Sequence, residues 1–179
     1  MSTPSLPNGV IAASLTPLDN TGQPDGAALA SHVQTLLDEG CDAALLFGTT
    51  GEGLSFTVEE RRRALDAVLD AGVSPHQLLV GTGALPLPDA AELTAHATNH
   101  GVGGVLVLPP FHFTDVTDDG LARTYEGLID AVGNDDLRLY FYHYPELTHV
   151  PIPFPVIERL REQYPDQIAG IKDSSGEWD

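Results

Sequence analysis

Lysine is almost missing from this sequence: seven of its eight basic residues are arginines and Lys172 is the only lysine, where ordinary usage would give on the order of ten. Whatever depleted the others spared this one. Cysteine is equally scarce. Cys41 stands alone, which excludes an intrachain disulfide, and its place between a helical stretch and an apolar run suits a small buried structural residue. No apolar run approaches the roughly 20 residues that a membrane span needs, and Met1 to Pro7 lacks the basic and apolar regions of a secretory signal. A cytoplasmic protein without a membrane partner is the expectation. Positive charge is short as well. Against 26 acidic residues the eight basic ones leave a net charge of −18, which repels nucleic-acid phosphates and anionic lipid and argues against both as partners. An acidic, lysine-poor surface fits a salt-adapted source, and high-GC codon bias would give the same depletion.

What is present is a regular alternation. With 179 residues, 42% of them hydrophobic, the chain suffices for one domain over residues 1–179. Short runs rich in Val, Ile, Leu or aromatics recur at Val10 to Ala13, Ala43 to Phe47, Leu78 to Val80, Gly104 to Leu108, Leu137 to Tyr142 and Ile168 to Ile171, and they read as buried parallel strands. Between them lie apolar residues at helical spacing: Leu29, Val33, Leu36 and Leu37; Leu65, Val68 and Leu69; Leu121, Tyr125, Leu128, Ile129 and Val132. Thr57 with Glu60, and Asp89 with Glu92, have capping-box spacing, and Pro155 suits a first helical turn.

The strands begin about 26 to 35 residues apart, close to the roughly 31 per unit of a ~250-residue eightfold barrel. The rival, a doubly wound open sheet, lacks its glycine-rich loop after the first strand, where Ser14, Leu15, Thr16 and Pro17 stand instead. The fold expected is therefore a (β/α)8 TIM barrel of which this chain covers the first six βα units. It stops at Asp179, soon after the sixth strand, which reads as a C-terminal truncation. Six of eight strands cannot close, so two strand edges would stay unpaired.

In such barrels chemistry sits at the C-terminal strand ends. The second strand runs into Gly48-Thr49-Thr50-Gly51-Glu52, where small residues let backbone N–H groups approach an anion; a plain tight turn is the alternative. The fourth is followed by Pro109-Pro110-Phe111-His112-Phe113, a stiff aromatic loop. In Tyr140-Phe141-Tyr142-His143-Tyr144-Pro145 the period of two sets Tyr140 and Tyr142 on one face and Phe141 on the other. Tyr142 is then either a satisfied core residue or a positioned proton donor. The sixth strand ends Ala169-Gly170-Ile171-Lys172-Asp173. An amine at an apolar barrel mouth suits a nucleophile, which needs the neutral form; pairing with Asp173 or Glu177 is the structural alternative.

These residues resemble the family of dihydrodipicolinate synthase and N-acetylneuraminate lyase, pyruvate-dependent class I aldolases on a TIM barrel. The resemblance runs from Gly9-Val10-Ile11-Ala12-Ala13 and Thr16-Pro17, through GTTGE at 48–52 and the tyrosine and proline of YHYP at 142–145, to GIKDSSG at 170–176. It implies that Lys172 forms an imine with pyruvate or another 2-oxo acid and that Tyr142 shuttles protons. It further implies that Thr49 bonds the Tyr142 hydroxyl, and that Thr50 with the loop amides around Gly48 and Gly51 holds the 2-oxo acid carboxylate. A protonated imine is itself the electron sink for C–C cleavage or formation, so no metal or organic cofactor is expected. The partners implied are a small 2-oxo acid and an aldehyde, and family members are commonly homo-oligomers, often tetramers.

Two departures bear on the substrate. Lysine-pathway synthases (4-hydroxy-tetrahydrodipicolinate synthases) carry an arginine two residues after the motif's proline, where Leu147 stands here. They also borrow a tyrosine from a neighbouring subunit at a loop position read here as Phe111. The Leu147 pattern looks more like sialic acid lyases and 2-keto-3-deoxy sugar-acid aldolases, so a hydroxy-2-oxo acid or sugar acid is favoured over aspartate semialdehyde. Two rivals stay open: a metal-dependent aldolase using His112, His143 and Asp173, and a non-catalytic 2-oxo-acid-binding protein that keeps Lys172.

Overall fold

A computed structural model describes residues 8–113 and 115–177. Met1 to Pro7, read for a targeting signal, and the chain end at Asp179 lie outside the described residues. The strands β1 (Ile11–Ala13), β2 (Ala43–Leu46), β3 (Leu78–Gly81), β4 (Gly104–Val107), β5 (Leu139–His143) and β6 (Ile168–Asp173) form one parallel sheet in chain order. Helices α1 (Gly26–Asp38), α2 (Val58–Asp70), α3 (Leu87–Asn99) and α4 (Asp118–Val132) connect the first five strands. The short α5 (Pro145–Thr148) and then α6 (Phe154–Gln163) connect β5 to β6. This is the half-barrel that the alternation predicts, with α1 against α2, α2 against α3, α3 against α4 and α4 against α6.

The helices start where side chains or proline rings replace missing hydrogen-bond partners. Asp25 accepts from the Ala28 N–H, Thr117 from the Gly120 N–H, and Thr57 with Glu60 forms a reciprocal capping box. The Asp89–Glu92 cap does not form. Helix α3 begins earlier, at Leu87 behind Pro86, because Pro88 is at ease in a first turn that needs no N–H from it. Asp89 therefore falls inside that turn, and Glu92 pairs with Arg62 at 2.6 Å.

The sheet separates two apolar clusters. On its outer face Ala44, Leu46, Leu78, Val80, Val105, Val107, Leu139 and Phe141 pack against Leu29, Val33, Leu65, Val68, Leu121, Tyr125 and Leu128 of the helices. Burying each leucine or phenylalanine side chain contributes about 1.5–3 kcal/mol. Tyr125 stands edge-on to Phe141 at 4.9 Å between ring centres, and its burial pushes the phenol pKa up. On the concave face the cluster is only Ala43, Leu45, Leu79, Leu106 and Tyr142, flanked by Leu108, Tyr140 and Tyr144. The alternation read in the fifth strand is thus realised, with Phe141 outward and Tyr142 inward.

Strands β2, β3 and β4 are buried at every residue, whereas β1 and β6 are not. The expectation of six buried strands fails at the two edges, since each edge strand pairs on one side only. Ile11 and Ile171 are exposed there. Cys41 is half-buried rather than enclosed. Among the described residues no helix is long and apolar enough to cross a membrane.

Candidate active site

The loops after β2 to β5 surround a cavity of about 220 Å³ whose wall includes Phe47, Thr49, Leu54, Leu106, Tyr142 and Leu147. Its shape starts with Phe47, which leaves β2 in the left-handed region at φ 54°. That turn drives the Phe47 carbonyl between Gly53 and Gly81. A Cβ built on Gly53 would lie 2.1 Å from that oxygen, and one on Gly81 2.4 Å from it, so both positions require glycine on contact grounds. Gly51 has a similar reason. Its missing Cβ would meet the Ser14 carbonyl at 2.8 Å, and its own carbonyl accepts from Thr16 Oγ1 at 2.7 Å. The glycine read as room for an anion is used to seat the loop against the end of β1.

The loop still presents donors. Among the described residues the backbone N–H groups of Thr49, Thr50 and Gly51 donate no hydrogen bond within the chain, while those of Glu52 and Gly53 close on the Thr49 and Gly48 carbonyls at 3.1 and 3.2 Å. Successive free N–H groups beside a turn make a local positive end in a protein of net charge −18. Thr50 is exposed and Gly48 half-buried.

Tyr142, buried on the concave face, shares a hydrogen bond of 3.1 Å between its hydroxyl and Thr49 Oγ1. Tyr144 stacks on it with ring centres 5.8 Å apart. Lys172 is opposite Tyr142 in the β5–β6 register, and its Nζ stands 4.2 Å from the centre of the Tyr142 ring. A cation or amine over a phenol ring is held by the ring quadrupole. Lys172 is half-buried and borders the cavity rather than walling it, because β6 is an edge strand. Three predicted residues, Thr49, Tyr142 and Lys172, therefore meet in one place.

The metal trio does not. His143 points to the other side of the sheet, where its Nδ1 accepts the Ile152 N–H at 3.1 Å. His112 is exposed and packs edge-on to Phe113. The Asp173 carboxylate takes the Ser175 N–H at 2.7 Å, and these Ser175 bonds hold its pKa below the usual carboxylate value. Phe111 is also elsewhere, half-buried in a neighbouring hollow with Leu54, Arg61, Leu85 and Asp89.

Arg61 is the supporting residue that the sequence concealed. It is 4% exposed, and its guanidinium donates to the Gly83 carbonyl at 3.1 Å and to the Gly81 carbonyl, pinning the end of β3 where it walls the cavity. Burial pushes its pKa down to about 10, which leaves it charged at neutral pH. In the run Arg61-Arg62-Arg63 it passes for a solvated residue. The signal was its spacing to Leu65 and Val68 on the buried face of α2.

Residues 6–179 match the Dihydrodipicolinate synthetase family. An uncharacterized DapA-like lyase of Chloroflexus aurantiacus is 37% identical over 174 residues, which are 97% of this chain and 58% of that protein. N-acetylneuraminate lyase of Danio rerio is 34% identical over 80% of this chain and 47% of its own length. Dihydrodipicolinate synthase of Agrobacterium tumefaciens has the same fold at a TM-score of 0.88 and 36% identity, over 95% of this chain and 59% of that one. The chain thus spans about half the length of its relatives. With the sheet order, the loop at 48–52 and these matches in agreement, the chain belongs to the dihydrodipicolinate synthetase family.

Proposed function

We propose that this chain carries the Schiff-base centre of a carbon-carbon lyase that joins or separates a 2-oxo acid and an aldehyde. The observation that carries the proposal is the meeting of the only lysine with Tyr142 and Thr49. In the forward cleavage the neutral Lys172 amine adds to the 2-oxo carbon, and the carbinolamine hydroxyl leaves as water with the proton of Tyr142, giving a protonated imine and a Tyr142 phenolate. The electron pair of the breaking C–C bond moves into that imine as an enamine. The departing aldehyde forms as its hydroxyl proton passes to Tyr142, which then returns a proton to the enamine carbon. Hydrolysis releases the 2-oxo acid and restores the amine. Thr49 fixes the direction of the Tyr142 hydroxyl, and Thr50 with the free N–H groups beside Gly48 and Gly51 takes the substrate carboxylate.

The cavity wall favours an uncharged, hydroxylated aldehyde portion. Leu147 stands in it, and its described lining contains no arginine, lysine or histidine to meet a second carboxylate, while Glu52 would repel one. Cleavage of 2-keto-3-deoxy sugar acids, followed as 2-oxo acid released, is expected to exceed condensation of pyruvate with aspartate semialdehyde. The reverse order would return the substrate to the 4-hydroxy-tetrahydrodipicolinate synthase type. Imine formation without turnover on either would reduce the protein to 2-oxo-acid binding.

A further inference from the structure

Helices α2 and α3 meet on the outside of the sheet through a group that no step above uses. Asp66 of α2 faces His96, in α3, and His100, at its C-terminal cap. The spacing of four residues puts both imidazoles on one helix face, with ring centres 4.7 Å apart. His96 Nε2 lies 2.8 Å and His100 Nε2 3.2 Å from the same oxygen, Oδ1 of Asp66. One donor atom from each residue falls within 4.8 Å of the others, and no second such trio occurs among the described residues.

We propose that Asp66, His96 and His100 form a binding site for a divalent transition-metal ion of the Zn²⁺ class, which ties α2 to α3. Bonds of about 2.0–2.1 Å to nitrogen and 2.0–2.2 Å to oxygen put neighbouring ligands of a tetrahedral ion about 3.4 Å apart. The spacings of 2.8 and 3.2 Å fall a little short of that, within reach of a small rotation of partly exposed side chains. Two imidazoles with one carboxylate select Zn²⁺, Ni²⁺, Cu²⁺ or Co²⁺ over Mg²⁺ and Ca²⁺. The Asp66 and His100 side chains are 43% and 42% exposed, which leaves the fourth position open to water. The net charge of −18 concentrates cations at the surface. The competing arrangement is a metal-free clamp in which one carboxylate oxygen accepts from both rings.

Titration of chelator-treated, desalted full chain with Zn²⁺, and with Co²⁺ as a spectroscopic probe, distinguishes the two. One tight equivalent, a visible Co²⁺ absorption band and a Tm that climbs with the logarithm of Zn²⁺ concentration are expected, with Mg²⁺ giving none of them. H96Q, H100Q and D66N should each weaken binding more than about tenfold, since even outer partners of metal ligands contribute that much. H100Q and D66N alter partly exposed positions and keep the test valid where H96Q fails to fold. Unchanged binding in folded H100Q or D66N, or a Tm indifferent to Zn²⁺, would overturn the site and leave a hydrogen-bonded clamp.

Discussion

The two faces of the sheet do different work with the same strands. The outer face is closed under helices, with Leu139, Phe141 and Leu128 essentially inaccessible. The concave face buries only five residues of its own cluster, and one of them, Tyr142, is a phenol with a hydrogen bond to keep. Most of the burial therefore lies on the outside, and the proposed chemistry on the inside. The contrast teaches that one strand can serve two purposes, because successive side chains enter different environments.

Substitutions should separate the faces. Replacing Tyr142 with Phe is expected to lower turnover by about 10²–10⁴ with a loss of stability near 1 kcal/mol, the worth of one neutral hydrogen bond. Comparing turnover with the urea midpoint checks this, and an equal fall of both would erase the distinction. Phe141→Ala, one residue along, should destabilise by about 3–5 kcal/mol through a cavity in the closed layer. Leu45→Ala on the concave side should cost less, about 2 kcal/mol, because that face can relax toward the open cavity; an equal cost would mean that the two faces are equally packed. Thr49→Val should leave the Tyr142 ring in place and unfix its hydroxyl. The smallest effect is expected there, a fall in kcat with KM little changed, read from initial rates.

Much of this contrast was legible in the sequence. The alternation Tyr140, Phe141, Tyr142 assigned the faces of β5, and Thr57 with Glu60 marked the start of α2, because period and capping are local properties. The contacts that shape the cavity were not local. Gly51 packs against Ser14 and Gly81 against Phe47, each from another strand end, and Arg61 reaches across to β3. A single sequence does not display those distances. The edge exposure of β1 and β6 likewise follows from sheet position rather than composition. Asp89 was misread because a cap depends on where the helix begins, which Pro86 and Pro88 decided.

The most direct test uses the scarcity of lysine. Incubating the protein with pyruvate and borohydride, then weighing it intact, should give one reduced pyruvate adduct, lost in Lys172→Arg. With no other lysine in the chain, the N-terminal amine is the competing primary amine, and loss of the adduct in Lys172→Arg locates the imine. An absent adduct in folded protein, or one that persists in Lys172→Arg, would contradict a Schiff-base centre at Lys172.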